Sequence, residues 1–326
     1  MTKVLGMGNA LVDVLAIIED DKMLELLELP KGSMQLIDNK KFETLTKELN
    51  KLNKSIVSGG SAANTIIGLT RLGIDAGFVG RIGKDSFGEY FKNDMEKYHV
   101  KSHLTEVDEI SGVASTFISK DGERTFGTFL GAAALLCAEE LHKEDFLGYS
   151  YFYIEGYLVQ SHALIRMAIE LAKESGAKVI LDLASYNVVE ENKDFLLDII
   201  PQYADIVFAN EEEAKSLLDV DAEEAVSILA KQTETAVVKV GEKGSWIQRG
   251  DEKVFVPAYK VDCVDSTGAG DLYAAGFIYG LINNCSLSVS GQIGTLLAAH
   301  VIQKIGAKVD DNNWEQIAEE VRKIRK

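Results

Sequence analysis

Short apolar runs alternate with amphipathic stretches along the whole chain. Strand-like runs cover Lys3–Met7, Ala76–Gly80, Tyr151–Ile154, Lys178–Leu181, Asp205–Ala209 and Thr235–Val240. Between them, apolar positions recur at helical spacing over Asp85–Tyr98, His162–Ser175, Glu190–Ile200 and Glu223–Gln232. Strand–helix alternation of this kind predicts a parallel sheet covered on both faces. The expected class is α/β, with a doubly wound, mostly parallel sheet.

Two stretches break the alternation. Residues 12–38 contain DVLAII and SMQLI, and residues 101–131 contain VASTFIS, the turn Lys120-Asp121-Gly122, and RTFGTFL. Asp-Gly between β-rich runs is a strong hairpin signal. These inserted segments predict a small β-sheet beside the main body, serving as a lid or an interface. No repeat, low-complexity segment or flexible linker divides residues 1–326, so a single domain with a lid is expected. An open edge on the small sheet could be covered by a second copy, which allows a homodimer through the lid.

Composition narrows the partners. Of 326 residues, 46% are hydrophobic and 26% charged, enough for a substantial core. Lys plus Arg is 34 against 51 Asp plus Glu, a net charge of −17 that disfavours nucleic acid and anionic membrane surfaces. Cys137, Cys263 and Cys285 form no CxxC pair and lie in apolar surroundings, as reduced thiols do. The opening residues carry no signal-peptide pattern, and no apolar run reaches the roughly 18 residues a membrane helix needs. A cytoplasmic location is expected.

The richest chemistry lies at Asp265-Ser-Thr-Gly268-Ala269-Gly270-Asp271, followed by the apolar LYAAGFIYGLI. Glycines ahead of a helix let the backbone approach a ligand and leave N–H groups free. Such an N-terminus attracts phosphate. Asp271 in the first turn would repel that phosphate by roughly a kcal/mol or more. Its place makes sense if it takes the proton from a hydroxyl that attacks phosphorus. The plainer alternative is a capped helix with glycines for packing.

At these residues the chain resembles the PfkB, or ribokinase-like, family of sugar and nucleoside kinases. The family signature D-T-x-G-A-G-D is matched with Ser266 in place of the commoner Thr. The resemblance implies a ribokinase-like fold, Asp271 as catalytic base, and the Gly268, Ala269, Gly270 and Asp271 amides as an anion hole. It implies ATP and Mg²⁺ and, in members with a cation site near the Gly306-Ala307 turn, K⁺.

Other segments agree in order. No G-x-x-x-x-G-K-[ST] is present, so a P-loop is excluded. After DIVFA come Asn210-Glu211-Glu212-Glu213. The resemblance gives Asn210 to the nucleotide and Glu213 to the metal, while local chemistry also allows a capping box. Lys239-Val-Gly241-Glu-Lys-Gly244 is placed against the nucleotide together with Asp265, although alone it reads as a glycine hairpin. For the acceptor, Gly60 and Asn64 match the family's N-terminal G-G-x-x-x-N, where Ser61 could cap the helix. Asn9 and Asp13 lie in GMGNALVD, where Asp13 interrupts an apolar run and could take a sugar diol. Arg124, after the hairpin turn, would point from the lid towards phosphate.

GMGNALVD and RTFGTFLGAAA look closer to the adenosine kinase branch than to ribokinase. Asn9, Gln35, Leu130 and Tyr157 would then surround a base and its ribose. Glu155, an acid where an apolar wall is expected, would bind another hydroxyl or pair with Arg124. A fructose-type sugar is the alternative acceptor. Two readings from other classes remain. One is a dinucleotide oxidoreductase built on Gly6-x-Gly8, although Leu11 stands in the third glycine position. The other is a non-catalytic nucleotide-binding module.

Overall fold

Both faces of the long-range strands are apolar, and the structure buries both. In β1 (Lys3–Met7), Val4 enters one core while Leu5 and Met7 enter another on the opposite side. The period of two along a strand makes this split inevitable once helices cover each face. The computed structural model describes residues 2–326.

The larger sheet has nine strands. From one edge it runs β14 (Glu252–Pro257), β13 (Gly244–Arg249), β12 (Thr235–Lys239), β11 (Ile206–Asn210), β10 (Lys178–Asp182), β9 (Tyr151–Glu155), β1, β5 (Asp75–Gly83) and β6 (Lys101–Val107). β12 through β6 pair in parallel, and β13 and β14 close one edge antiparallel. The chain first travels outward from β1 through β5 to β6. It later returns to β9 on the other side of β1 and proceeds to β12. Strand order therefore reverses between β1 and β9, and ligands of doubly wound sheets bind at the carboxyl ends of strands at such a point.

A five-stranded sheet stands beside it, in the order β3 (Met34–Leu36), β8 (Arg124–Phe129), β7 (Gly112–Ile118), β2 (Leu11–Ile17) and β4 (Lys54–Gly59). The Asp121-Gly122 hairpin joins β7 and β8 antiparallel. Its outer side is covered by the helices Lys22–Leu26 and Asn39–Leu49, with Phe42 stacked on Phe129 at 4.7 Å between centroids.

Three expectations need correction. Residues 101–131 do not act as one unit, because Lys101–Val107 pairs with β5 at the edge of the larger sheet. Conversely Lys54–Gly59, which lies outside the two segments expected to build the small sheet, pairs there with β2. Glu190–Ile200 is two helices, Tyr186–Glu191 and Lys193–Tyr203, parted at Asn192, whose φ of −119° leaves the helical region. Among the described residues no helix is long and apolar enough to cross a membrane.

The helices Ala269–Ile282 and Leu287–Val301 pack backbone to backbone. A Cβ on Gly276 would lie 2.6 Å from the Ile293 carbonyl oxygen and 2.8 Å from its carbon. Gly276→Ala should raise helix propensity by up to about 1 kcal/mol. Overpacking should outweigh that gain, for a net loss of about 1–3 kcal/mol in denaturant unfolding. Unchanged or increased stability would contradict this close approach.

Candidate active site

A cavity of about 1190 Å³ opens at the carboxyl ends of the parallel strands. Single small molecules commonly occupy about 300–1,000 Å³, so two ligands fit here. The strand period selects its polar lining. Tyr153, Ile180, Phe208 and Val237 face the core beneath the helix Ala269–Ile282. Two residues on, with the same parity, stand Glu155, Asp182, Asn210 and Lys239, and all four line the cavity. Register makes them a stepped row: Glu155 lies beside Asp182, Asp182 beside Phe208, and Asn210 beside Lys239 two residues further along.

The helix Ala269–Ile282 points its N-terminus into this row. Gly268 caps it at φ +78°, a left-handed conformation that favours glycine, and a Cβ there would meet Ala307 Cα at 2.8 Å. Gly268, Ala269, Gly270 and Asp271 all line the cavity. A second helix, Ser61–Arg71, brings its own N-terminus to the same place. Its Ser61 hydroxyl donates to Asp271 Oδ1 at 2.7 Å, and Asn64 Nδ2 donates to Oδ2 at 2.9 Å. Burial raises the Asp271 pKa to about 6, with the Ser61 and Asn64 hydrogen bonds opposing the rise. Ser61 does not cap its helix as expected; it is bonded to the carboxylate instead.

Where the acceptor was expected, Gly60 at φ +93° lies against the Asn9 carbonyl oxygen, where a side chain would clash. Asn9, Asp13, Gly60 and Asn64 line the cavity. Asn64 Oδ1 is buried without a partner, an acceptor left for a donor such as a hydroxyl. Burial raises Asp13 to about 6, opposed by the charges of Lys308 and Arg124. Cross-strand register puts Asp13, Ala114, Thr128 and Leu36 in one row of the small sheet. The same face presents Leu11, Met34 and Phe126 to the cavity.

Glu155 pairs with neither Arg124 nor an open position. It is 1% exposed and accepts from Asn9 N and Nδ2, both at 2.8 Å, and from Ala62 N at 2.9 Å. It thereby ties β1 and β9 to the start of the helix Ser61–Arg71. A Cβ on Gly8 would lie 2.6 Å from the Glu155 Cδ, while one on Gly6 would strike Ile66. Gly6 and Gly8 therefore make room for protein side chains, which removes the basis of the dinucleotide reading.

Where the nucleotide was expected, Asn210 and Glu213 form a reciprocal capping box. Burial raises Glu213 to about 7, opposed by the charge of Lys239. Gly241 and Gly244 border the cavity from the turn joining β12 to β13. Asp182 was missed in the sequence; it ends β10, accepts from Tyr153 OH at 3.1 Å and lies 3.4 Å from Lys239 Nζ. An acid closing an apolar strand, as in VILD, was the available signal.

Arg124 and Asp265 are placed differently from expectation, since neither lines the cavity. Arg124 is 8% exposed, with Nη2 3.0 Å from Asp265 Oδ2 and Nη1 donating to Thr267 Oγ1 at 3.1 Å. Asp265 Oδ1 also accepts from Thr267 N and Oγ1, and Oδ2 from Gly306 N at 2.7 Å. The pair fastens the small sheet to the loop before the anion site and to the Gly306-Ala307 turn. These donors engage both oxygens of the carboxylate. Gln35 does not line the cavity, whereas its neighbours Met34 and Leu36 do.

Residues 33–314 match the pfkB family carbohydrate kinase model, and the chain belongs to that family, whose members are phosphotransferases. It is 28% identical to adenosine kinase of Saccharomyces cerevisiae, over 92% of this chain and 94% of that one. It is 29% identical to ribokinase of Haemophilus influenzae, over 82% and 86% respectively. Among solved structures, adenosine kinase from Sinorhizobium meliloti superposes with a TM-score of 0.87 at 33% identity, covering 99% of both chains. A probable sugar kinase from Rhizobium etli gives 0.88 at 32% identity, covering 99% of this chain and 98% of that one.

The raised carboxyl pKa values have a measurable consequence. Asp13 and Asp271 stand at about 6 and Glu155 and Glu213 at about 7, against ordinary values near 4. Between those limits the folded chain holds protons that the unfolded chain has lost. These groups therefore make stability fall as pH rises towards about 7. The ligand-free protein should melt at a higher temperature at pH 6 than at pH 8, and Glu155→Gln should flatten the difference. The opposite slope, or an undiminished one in the variant, would contradict this.

Proposed function

We propose that the chain moves the γ-phosphoryl group of ATP to the hydroxymethyl group of a nucleoside or ribose-type acceptor. One observation carries this reading: Asp271, held by Ser61 and Asn64, stands in the first turn of a glycine-opened helix. A carboxylate there costs phosphate affinity, a cost that is explained if the same group accepts a proton during the reaction.

The acceptor's secondary hydroxyls bond Asp13 and Asn64, which leaves its primary hydroxyl at Asp271. Ser61, already on that carboxylate, gives way to it. Asp271 takes the proton as the acceptor oxygen forms its bond to the γ-phosphorus. The bond from phosphorus to the β–γ bridging oxygen breaks, and ADP leaves with that electron pair. The Gly268, Gly270 and Asp271 amides oppose the charge that develops; the Ala269 amide, expected to join them, already donates to the Ser266 carbonyl oxygen at 3.1 Å. Asn210 and Gly241 to Gly244 border the nucleotide.

Among the described residues no cluster of three or more His, Cys, Asp or Glu forms a ready metal cage. The Asp182 and Glu213 carboxylates, both lining the cavity, would hold a hydrated Mg²⁺. When bound, such an ion neutralises the β- and γ-phosphates. The small sheet would act as a lid that excludes water from the acceptor.

A nucleoside is favoured over a bare sugar because Asp13 shares its sheet face with Leu36, Met34 and Phe126. Met34 and Leu36 are about half exposed, at 49% and 56%. A ligand whose hydroxyls bond Asp13 would lay its remaining part on this wall, which suits an aromatic base. Adenosine and inosine should be better acceptors than ribose or fructose in ADP-release assays. Asp271→Asn should lower turnover by about 10²–10⁴-fold while retaining ATP binding. Phe126→Ala should cost nucleosides about tenfold or more in kcat/KM, in line with the about 1–3 kcal/mol of base stacking, and leave ribose unchanged. Near-normal turnover of Asp271→Asn would overturn the mechanism. Equal losses for nucleoside and ribose in Phe126→Ala would overturn the acceptor assignment.

A further inference from the structure

Lys239 brings a basic side chain against the first turn of the helix Ala269–Ile282. Its parity along β12 is that of Val237, so it rises on the face covered by the helix Ala269–Ile282. The ammonium stops directly beneath the N-terminus of that helix. A Cβ on Gly270 would lie 3.2 Å from Nζ, which is the nearest atom it would meet. Glycine at 270 therefore keeps the space between ammonium and helix backbone open.

The surroundings of this cation are unbalanced. Its side chain is 17% exposed, and its contact with Asp182 Oδ2 is long, at 3.4 Å. Other attraction comes from the charges of Glu213 and Asp271 and from the Phe208 ring, 6.0 Å from Nζ. An ammonium has three N–H donors. One faces Asp182 at a distance beyond an ordinary hydrogen bond, while the residue lines the cavity. An ammonium with a single long hydrogen bond, lining a cavity beneath a glycine-opened helix N-terminus, suits an anion that arrives there.

We propose that Lys239 is a further catalytic residue whose ammonium bonds the transferring phosphoryl group as it crosses the anion site. This rests on the phosphotransfer reading above and assigns the lysine a role in the reaction itself, beyond lining the nucleotide pocket. In the resting state Nζ lies against Asp182 and offsets the neighbouring acids. When phosphate enters, it exchanges that long contact for phosphoryl oxygens. Lys239 remains protonated throughout; the transferred proton passes from the acceptor hydroxyl to Asp271. Asp182 serves as a positioning residue that parks the ammonium between turnovers.

The test compares wild type with Lys239→Met and Lys239→Arg in the full-length chain, with unfolding midpoints recorded first. Kinetic constants are measured with Mg-ATP and the best acceptor. Calorimetry measures binding of Mg-ADP alone and of Mg-ADP with aluminium fluoride, a mimic of the phosphoryl group in flight. Lys239→Met should lower kcat at least 100-fold, with the KM values for ATP and acceptor changed less than about threefold. It should also abolish most of the extra affinity that aluminium fluoride gives Mg-ADP. Lys239→Arg, which keeps the charge, should retain more of both.

A Lys239→Met kcat within threefold of wild type would overturn the proposal and leave the phosphotransfer reading standing. A loss confined to the KM for ATP would also overturn it, by reducing the lysine to a nucleotide grip. If Lys239→Met does not fold, the same criteria apply to Lys239→Gln. A wild type that transfers to no acceptor, yet binds Mg-ADP with aluminium fluoride in a Lys239-dependent way, would support the phosphoryl contact and overturn the reaction.

Discussion

A phosphate drawn to the N-terminus of the helix Ala269–Ile282 meets the carboxylate of Asp271 in its first turn. At about 4 Å and an effective dielectric near 20, two unit charges repel by about 4 kcal/mol. Helix amides and macrodipole return only part of that. Much of the surrounding structure bears on this conflict. Ser61 and Asn64 hold the carboxylate in place, burial lifts its pKa towards neutrality, and Lys239 sets a positive charge beneath the same turn.

The architecture explains how so many groups reach one point. Two helix N-termini and the ends of five adjacent parallel strands converge where strand order reverses. Residues of equal parity then fall on one face without any special loop geometry. Glu155 keeps this convergence in register by binding Asn9 and Ala62 at once, so an apparent acceptor ligand serves as a tie between elements. Arg124 and Asp265 perform the matching task for the small sheet and the loop before Gly268.

The sequence shows local patterns well and long-range pairing poorly. Lys3–Met7 is found with the same bounds, and the Asp121-Gly122 hairpin forms, because apolar period and turn chemistry are both local. The motif around Asp271 is readable because glycines and an acid at a helix start have few other uses. The roles of Arg124 and Glu155 are different. Each depends on a partner more than a hundred residues away, Asp265 for Arg124 and Asn9 for Glu155, and nothing local distinguishes a buried pair from a ligand contact. The sheet membership of Lys101–Val107 and Lys54–Gly59 was hidden for the same reason, since edge pairing leaves little mark on a strand's own pattern.

The most direct test follows the phosphorus. Wild-type protein, Mg-ATP and adenosine would be monitored by ³¹P NMR, with 5′-deoxyadenosine in a parallel sample. The account predicts a phosphomonoester on the primary hydroxyl, growing in step with ADP, and no ester in the deoxy sample. ATP consumed to inorganic phosphate alone, or an ester formed equally with 5′-deoxyadenosine, would contradict proton removal from a hydroxymethyl group by Asp271.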